Sequence, residues 1–242
     1  MIIFDGIIFR LQKRGGITVY FNELFKRLDF HRTPFKVIRY ENSNIYSEHD
    51  SELLRSRYWE RYRDAEVPAE TRIFHSTYYR SPAKQINCLN VVTVHDFLYE
   101  KYARWDKKMV HTAQKYSAIA KADAIICVSE QTKKDLLYYC NIPDEKRIFV
   151  IHNGVSSGFG CTREATIDES KRPYLLHVGN RAGYKNFSLL LDAMVHLSDY
   201  ELYIVGGEPI SKSEAKIIDG RLKGRVRVLN YVADIQLVEL YS

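Results

Sequence analysis

The sequence predicts an α/β fold, in which a Rossmann-like domain with a doubly wound parallel sheet is followed by a second, incomplete Rossmann-like domain. Two observations support this prediction. Short apolar runs alternate with helical patterns of apolar residues along most of the chain. The apolar runs of the first half also end in polar segments, at 75–77, 95–96, 129 and 152–154. This alternation is typical of parallel sheets covered on both faces, and such sheets bind ligands where their strands end.

Apolar periodicity defines the elements of the first half. Strands are predicted at 2–4, 36–40, 72–74, 90–94, 124–128 and 147–151, with helices at 17–28, 106–121 and 130–139. The first helix repeats apolar residues at i, i+3, i+4 and i+7 from Ile17, which predicts one buried face. Ser129 precedes the third helix and is a suitable N-terminal cap. Residues 41–70 lack a clear period and are predicted to be irregular.

A second series of strands and helices follows a polar segment at 155–172, which we interpret as a linker. Strands are predicted at 173–178, 200–205 and 225–229, with helices at 186–197, 211–222 and 234–241. Three such pairs of strand and helix, without a closing element, make an incomplete domain. The predicted domains are therefore 1–160 and 161–242.

Composition limits the environment and the partners of the chain. The 242 residues are 45% hydrophobic and carry a formal net charge of +6, with a pI of about 9.0. This charge favours an anionic partner such as a nucleotide, a phospholipid head group or a nucleic acid, although modest basicity also aids solubility alone. The four cysteines share no metal-ligand spacing, and Cys127 lies in an apolar run, so a reducing cytoplasm is expected. The sequence contains neither the features of a signal peptide nor a run of about 18 apolar residues.

Two loops have the character of phosphate sites. Residues 174–187 combine an apolar strand, Gly179, the cations Arg181 and Lys185, and the start of a helix. Helix N-terminal N–H groups and fixed cations bind phosphate, although an ordinary strand-to-helix loop with surface cations remains an alternative. Gly15-Gly16 ends a basic loop at the start of the first helix, but tight turns also use such a pair.

Histidines follow the strands at three positions, namely His75, His95 and His152. In His95-Asp96, the histidine is a candidate general acid or base, or a ligand of sugar hydroxyls, and the alternative is a capped loop. The wide separation of the three histidines argues against a metal site. The fingerprints of dinucleotide-binding sites, P-loops and serine nucleophile elbows are absent from the sequence.

A basic aromatic cluster lies at 55–63 and includes Arg55, Arg57, Trp59 and Arg61. Such a cluster suits a phospholipid surface, an acidic acceptor or a nucleic-acid backbone. The alternative is a solvated helix face with half-buried aromatic residues. Nucleic acid is the least favoured partner because no recognition motif accompanies the charge.

The order of the motifs resembles family 4 of the glycosyltransferases over nearly the whole chain. The motifs are FDG, RGGI, TVHD, ICVSE, VIHNGV, LLHVGNRAGYKNF and LYIVGG. This resemblance implies a GT-B fold and a retaining, metal-independent enzyme that uses a GDP- or UDP-linked sugar. The form of the GYKNF segment is similar to that of bacterial enzymes of O-antigen, lipopolysaccharide or capsule synthesis, including mannosyltransferases.

The resemblance also implies roles for individual residues. Arg181 and Lys185 would neutralise the leaving diphosphate, and His95 would contact the transferred sugar near the reacting centre. The residues implied in donor binding are Gly15, Gly16, Gly179, Gly206, Gly207, Tyr231 and Val232. The acceptor, a lipid-linked saccharide, would bind mainly to the N-terminal domain, so the protein is expected in the cytoplasm or peripherally at the inner membrane face. One departure from the family pattern is Asn180, which stands where the family often has arginine.

The chain ends before the Glu-x7-Glu segment that holds the donor in this family. We therefore expect a fragment that has little or no transferase activity alone. The alternative is a noncatalytic remnant that binds an acceptor or a partner.

Overall fold

The computed structural model describes residues 1–12, 15–41, 51–83, 87–102, 105–142, 145–159, 172–181, 183–230 and 232–241. The chain divides into two units, Met1–Gly154 and Val155–Ser242. The domain boundary expected at 160/161 lies outside the described residues, as does most of the expected linker.

The N-terminal unit contains seven strands and five α-helices in its described part. The strands are β1 (Ile2–Asp5), β2 (Phe35–Tyr40), β3 (Ser51–Leu54), β4 (Ile73–Ser76), β5 (Leu89–Val94), β6 (Ala124–Cys127) and β7 (Ile148–Val150). The helices are α1 (Ile8–Leu11), α2 (Gly16–Phe30), α3 (Leu98–Tyr102), α4 (Trp105–Ala120) and α5 (Glu130–Tyr139). All strand pairs are parallel, in the order β3-β2-β1-β4-β5-β6-β7. The predicted parallel sheet is confirmed.

Alternating residues of the central strands are buried on both faces of this sheet. On β1, Phe4 packs with the apolar face of α2 around Phe21 and Phe25. Its neighbour Ile3 belongs to a separate buried cluster with Ile38. Burial on both faces explains why the strands read as continuous apolar runs in the sequence.

Three elements of this unit were not predicted, and one strand boundary was wrong. The missed elements are α1, β3 and α3, which have only four or five residues each. β4 extends to Ser76, so His75 lies inside the strand rather than after it. Its ring is buried on the face of the sheet that α2 covers, where it packs against Phe4 and Phe21.

The C-terminal unit contains a three-stranded parallel sheet in the order β10-β9-β8. Its elements are β8 (Tyr174–Val178), α6 (Phe187–His196), β9 (Glu201–Val205), α7 (Lys212–Arg221), β10 (Val226–Leu229) and α8 (Asp234–Tyr241). They match the predicted strands and helices closely. The core of this unit is formed by apolar residues of α6, β9 and the end of α7, among them Leu191, Met194 and Ile204.

Among the described residues, no helix combines the length and the apolar character that are needed to cross a bilayer.

Candidate functional site

The predicted loop that ends at Gly15-Gly16 directly precedes the N-terminus of α2. Gly15 precedes the helix in an extended conformation, and a Cβ atom there would lie 2.2 Å from the side chain of Gln12. Gly16 has open space around its Cα atom, and the first turn of the helix contains no acidic residue. The free N–H groups of this turn are therefore suited to an anion.

His95 follows β5 and packs against the same helix. Its ring lies edge-on to Tyr20 at a centroid distance of 5.1 Å, and its Nε2 atom is buried without a hydrogen-bond partner in the described structure. Burial, assisted by the charge of Lys115 and opposed by that of Asp96, lowers the pKa of His95 to about 4. The imidazole is therefore neutral near pH 7. It suits a hydrogen bond to a hydroxyl group better than it suits the role of a general acid.

Asp96 also stabilises the loop that carries His95. Its carboxylate accepts a hydrogen bond of 3.1 Å from the main-chain N–H of Leu98, at the start of α3. Its main-chain oxygen accepts one of 2.5 Å from Nζ of Lys115. Lys115 also pairs with Glu100 at 3.1 Å and lies 3.5 Å from the ring centroid of Phe97. The residue missed from the sequence is Lys115, which fixes the loop after β5 from the side of α4.

The other two histidines do not join His95 in a metal site. His75 shares a hydrogen bond of 2.9 Å between its Nε2 atom and Oγ1 of Thr93, and burial lowers its pKa to about 3. His152 is exposed. In the ranges that the structure describes, no group of three or more histidine, cysteine, aspartate or glutamate residues could hold a metal ion. Cys127 is fully buried, as predicted.

The predicted loop at 174–187 lies beside the loop that follows β9. Three glycines in the left-handed conformation meet there, at the carboxyl end of the small sheet. Gly179 follows β8 with φ 106°, and Gly206 and Gly207 follow β9 with φ 72° and 82°. A Cβ atom at Gly207 would lie 2.8 Å from the main-chain oxygen of Gly179. Glycine is therefore required at Gly207 both by its backbone conformation and by the close approach of the two loops.

Arg181 ties these loops to one another. Its Nε atom pairs with Glu214 of α7 at 3.1 Å, and its Nη1 atom donates to the main-chain oxygen of Gly206 at 3.2 Å. Nη2 donates to the main-chain oxygen of Glu208. Only 5% of the side chain is exposed. All three nitrogens thus bind protein acceptors, and Glu214 is a second residue that the sequence did not reveal.

Lys185 presents an exposed charge beside the same glycine. Its Nζ atom lies 3.4 Å from the position that a Cβ atom would take at Gly179, and it has no ion-pair partner in the described part of the chain. Asn186 then precedes α6 in a left-handed conformation and provides no side-chain cap. Lys185 and the uncapped start of α6 therefore remain available to an anion. Of the segment after β10, Val232 is half-buried, and Tyr231 lies outside the described residues.

The basic aromatic cluster is irregular up to a 3₁₀ turn at Glu60–Tyr62. Arg55 is exposed, and Trp59 is 64% exposed. Arg57 instead forms an ion pair of 2.8 Å with Glu60 and one of 2.5 Å with Glu66. Arg61 lies over the ring of Tyr78 at 5.0 Å from its centroid.

A buried ionic network supports this cluster from below. Arg80 pairs with Asp5 at 3.1 Å and with Glu60 at 2.6 Å, and its side chain is 0% exposed. The hydroxyl group of Tyr40, at the end of β2, bridges Asp5 and Arg80. It donates to Asp5 at 3.0 Å and accepts from Arg80 at 2.7 Å. Although burial acts in the opposite direction, hydrogen bonds from Arg57 and the charge of Arg80 lower the pKa of Glu60 to about 2. The sequence indicates this network only by Asp5, the last residue of β1.

Comparison of the sequence with known proteins identifies one matching family. Residues 14–158 match the model of Glycosyltransferase Family 4. No curated protein sequence matches the chain significantly.

Three solved structures resemble the whole chain. A sucrose-phosphate synthase from Thermosynechococcus elongatus has a TM-score of 0.73 at 16% identity, over 100% of this chain and 73% of that one. HepE of Anabaena, in complex with UDP-glucose, has 0.67 at 14% identity over 98% and 70%. WaaG, a glycosyltransferase involved in lipopolysaccharide biosynthesis, has 0.66 at 12% identity over 99% and 72%. These likenesses confirm the expected GT-B type of α/β fold.

Proposed function

The chain belongs to Glycosyltransferase Family 4, and on that premise we propose that it serves the transfer of a sugar from a nucleotide sugar to a saccharide acceptor, with retention of configuration. The family and the fold support glycosyl transfer. The UDP-glucose bound by HepE, a structural neighbour, supports a nucleotide-sugar donor.

The proposal rests on the position of the Lys185 side chain. Its exposed ammonium group lies beside Gly179, where β8 ends and α6 begins. Cleavage of the bond between the anomeric carbon and the diphosphate leaves negative charge on the diphosphate. A fixed cation beside free helix N–H groups stabilises that charge, and one such donor contributes about 3–4 kcal/mol to lowering a barrier. We assign Lys185 as the cation that faces the diphosphate, in place of a metal ion.

Arg181 has a different role in this proposal. Because its three nitrogens bind Glu214 and two main-chain oxygens, it holds the glycines in position and adds positive charge from behind the loop. Both residues act on the diphosphate, but Lys185 does so directly.

The N-terminal unit provides the remaining groups. On the basis of the sequence resemblance, the N–H groups of Gly15-Gly16 at the start of α2 are proposed for donor binding. The unpartnered Nε2 atom of neutral His95 is proposed to bind a hydroxyl group of the transferred sugar. The acceptor hydroxyl bonds to the anomeric carbon as the diphosphate leaves, and its proton passes to the departing diphosphate oxygen. The reaction then depends on position and electrostatics, and no proton transfer by His95 is required.

The acceptor is proposed to be a lipid-linked saccharide in the synthesis of a surface polysaccharide such as lipopolysaccharide or O-antigen. The involvement of WaaG in lipopolysaccharide biosynthesis supports this class of pathway. A mannosyl donor, a GDP or UDP carrier and a cytoplasmic location at the inner membrane face complete the proposal, on the basis of the sequence resemblance.

Equilibrium titration of the full chain with UDP and with GDP tests the donor site. We expect micromolar binding of one nucleotide and about tenfold weaker binding by Lys185→Ala. Lys223→Ala is the matched control, because Lys223 is also exposed but precedes β10 and so lies at the opposite end of the sheet. Addition of a chelator should leave the affinity unchanged. Equal losses in the two lysine variants, or no binding of either nucleotide, would contradict the proposal.

A further inference from the structure

A groove in the N-terminal unit combines aromatic and cationic side chains. It has a volume of about 540 Å³ and is lined by Arg10 and Leu11 of α1 and by residues 56–62. This volume lies within the range of sites for small molecules. The groove lies at the carboxyl end of the sheet, since α1 follows β1 and leads towards Gly15-Gly16.

Three aromatic rings line this groove and are open to solvent. Tyr58, Trp59 and Tyr62 are 79%, 64% and 46% exposed. Trp59 lies edge-on to Tyr58 at a centroid distance of 5.5 Å and is tilted against Tyr62 at 6.0 Å. Exposed aromatic faces in a concave site are suited to a flat, partly apolar ring, such as the C–H face of a sugar.

The charge of the groove is positive. Arg57 and Glu60 neutralise one another through their ion pair of 2.8 Å. Arg10 is exposed and has no ion-pair partner among the described residues. Arg61 donates one long hydrogen bond of 3.5 Å to Tyr78, and its Nε atom is buried without a partner in the described structure. Arg10 and Arg61 therefore have no carboxylate partner among the described residues, and guanidinium groups bind phosphate with two parallel hydrogen bonds.

The backbone under the rings is held in an uncommon conformation. Trp59 has φ 60°, in the left-handed region that bulky residues rarely adopt. The neighbouring Glu60 accepts from Arg57 and from Arg80, and Arg80 is anchored to Asp5 of β1. Strain of this kind persists where surrounding contacts over-determine it, and it concentrates at functional sites.

We propose that this groove is the acceptor subsite and that it binds a glycosyl phosphate. The sugar ring stacks on Trp59 and Tyr62, and the phosphate binds Arg10 and Arg61. Arg57 is a positioning residue that orients Glu60 and does not face the acceptor. This assignment rests on the proposed glycosyl transfer, and it adds the chemistry by which the acceptor is recognised.

Saturation-transfer NMR and titration with four probes test the subsite on the full chain. The probes are the 1-phosphates of glucose, galactose, mannose and N-acetylglucosamine, each compared with its unphosphorylated sugar. We expect at least one phosphate to bind about tenfold more tightly than its parent sugar, with saturation of its ring protons. Trp59→Ala and Arg61→Gln should each weaken binding about tenfold, while Trp59→Phe should stay within about threefold of the wild type.

Tyr138→Ala is the matched control, because Tyr138 is 82% exposed but lies on α5, outside the groove. Thermal unfolding of each variant confirms that it is folded, and Arg61→Gln serves if Trp59→Ala is not. Equal binding of phosphates and free sugars, an equal loss in Tyr138→Ala, or no binding of any probe overturns the proposal. So does binding to vesicles of phosphatidylcholine and phosphatidylglycerol without binding of the sugar phosphates, which assigns the groove to a membrane surface. The groove variants should bind UDP or GDP normally, so failure of the subsite is distinguishable from failure of the donor site.

Discussion

Lys115 donates a hydrogen bond of 2.5 Å to the main-chain oxygen of Asp96, the residue that follows His95. A buried ammonium group on α4 thus fixes the loop that carries the histidine, and its charge also opposes protonation of that histidine. Its counter-ion is Glu100, so the two side chains must be changed together if a buried charge is not to remain alone.

The double variant Lys115→Met/Glu100→Gln should therefore raise the pKa of His95 above about 4. The pKa should remain below 6.5, since burial is the larger cause of the shift. NMR titration of the histidine Cε1–H signals measures this, with His95→Gln for the assignment. Lys121→Met, at an exposed position after α4, is the control. An unchanged titration in the double variant would show that Lys115 does not influence the histidine.

Acid should destabilise the protein through its buried histidines. The folded pKa values of His75 and His95, about 3 and 4, lie below the unfolded value of 6.5. Their stabilising contribution is therefore complete above pH 6.5 and is lost as the pH falls towards these values. Each histidine contributes up to about 1.4 kcal/mol per pH unit in that window. The rise in the pKa of buried Asp5 acts in the opposite direction, so a difference between variants is the better measurement.

Urea unfolding at pH 7.0, 6.0 and 5.0 makes that comparison. His75→Gln should lower stability at pH 7 but reduce its loss on acidification by about 1.4 kcal/mol per pH unit. His152→Gln, at an exposed position, should parallel the wild type. Parallel curves for His75→Gln and the wild type would refute the assignment of this acid sensitivity to His75.

Replacement of Arg80 should be among the most damaging changes in the N-terminal unit. Arg80→Met leaves Asp5 and Glu60 without their shared partner, and loss of one partner from a buried ion pair costs about 3–5 kcal/mol. Arg72→Met, at an exposed arginine, should change stability by no more than about 0.5 kcal/mol. Urea unfolding measures both. A loss below about 1 kcal/mol for Arg80→Met would mean that the network contributes little to stability.

Two glycines of the C-terminal unit should respond to alanine in opposite ways. Gly207→Ala places a Cβ atom 2.8 Å from the main-chain oxygen of Gly179 at φ 82°. It should destabilise the unit by about 2 kcal/mol or more and weaken nucleotide binding. Gly220→Ala has open space in α7 and should stabilise by about 1 kcal/mol. Equal effects in thermal unfolding would contradict the close approach of the two loops.

Most elements could be predicted because their signals are local. Apolar periodicity and caps are carried within each segment, and α5 and α8 begin and end where the sequence indicates. The missed strand β3 has no pattern of its own, and its structure depends on pairing with β2 at the edge of the sheet. His75 was predicted to follow β4 because a histidine usually ends an apolar run. Its hydrogen-bond partner, Thr93 on the neighbouring strand, cannot be identified from the local sequence.

The charged residues of the site show the same limit. The sequence identified Arg181 and Lys185 but did not show that one is enclosed and the other exposed. The partner of Arg181 lies 33 positions away, and Arg80 and Asp5 are 75 positions apart. Such contacts are set by the topology of the sheet, and no local spacing reveals them.

Arg80 contacts both Asp5 and Glu60, so the side chains that support the groove differ from the side chains that line it. The supporting side chains are buried and hold the backbone, while Tyr58, Trp59 and Tyr62 are exposed and do not belong to the core. The entropy of ordering the loop is therefore lost during folding and not when the proposed acceptor binds. If the groove is the acceptor subsite proposed above, substitutions at the three rings should alter acceptor preference at little cost in stability, so that specificity can change while the scaffold is retained.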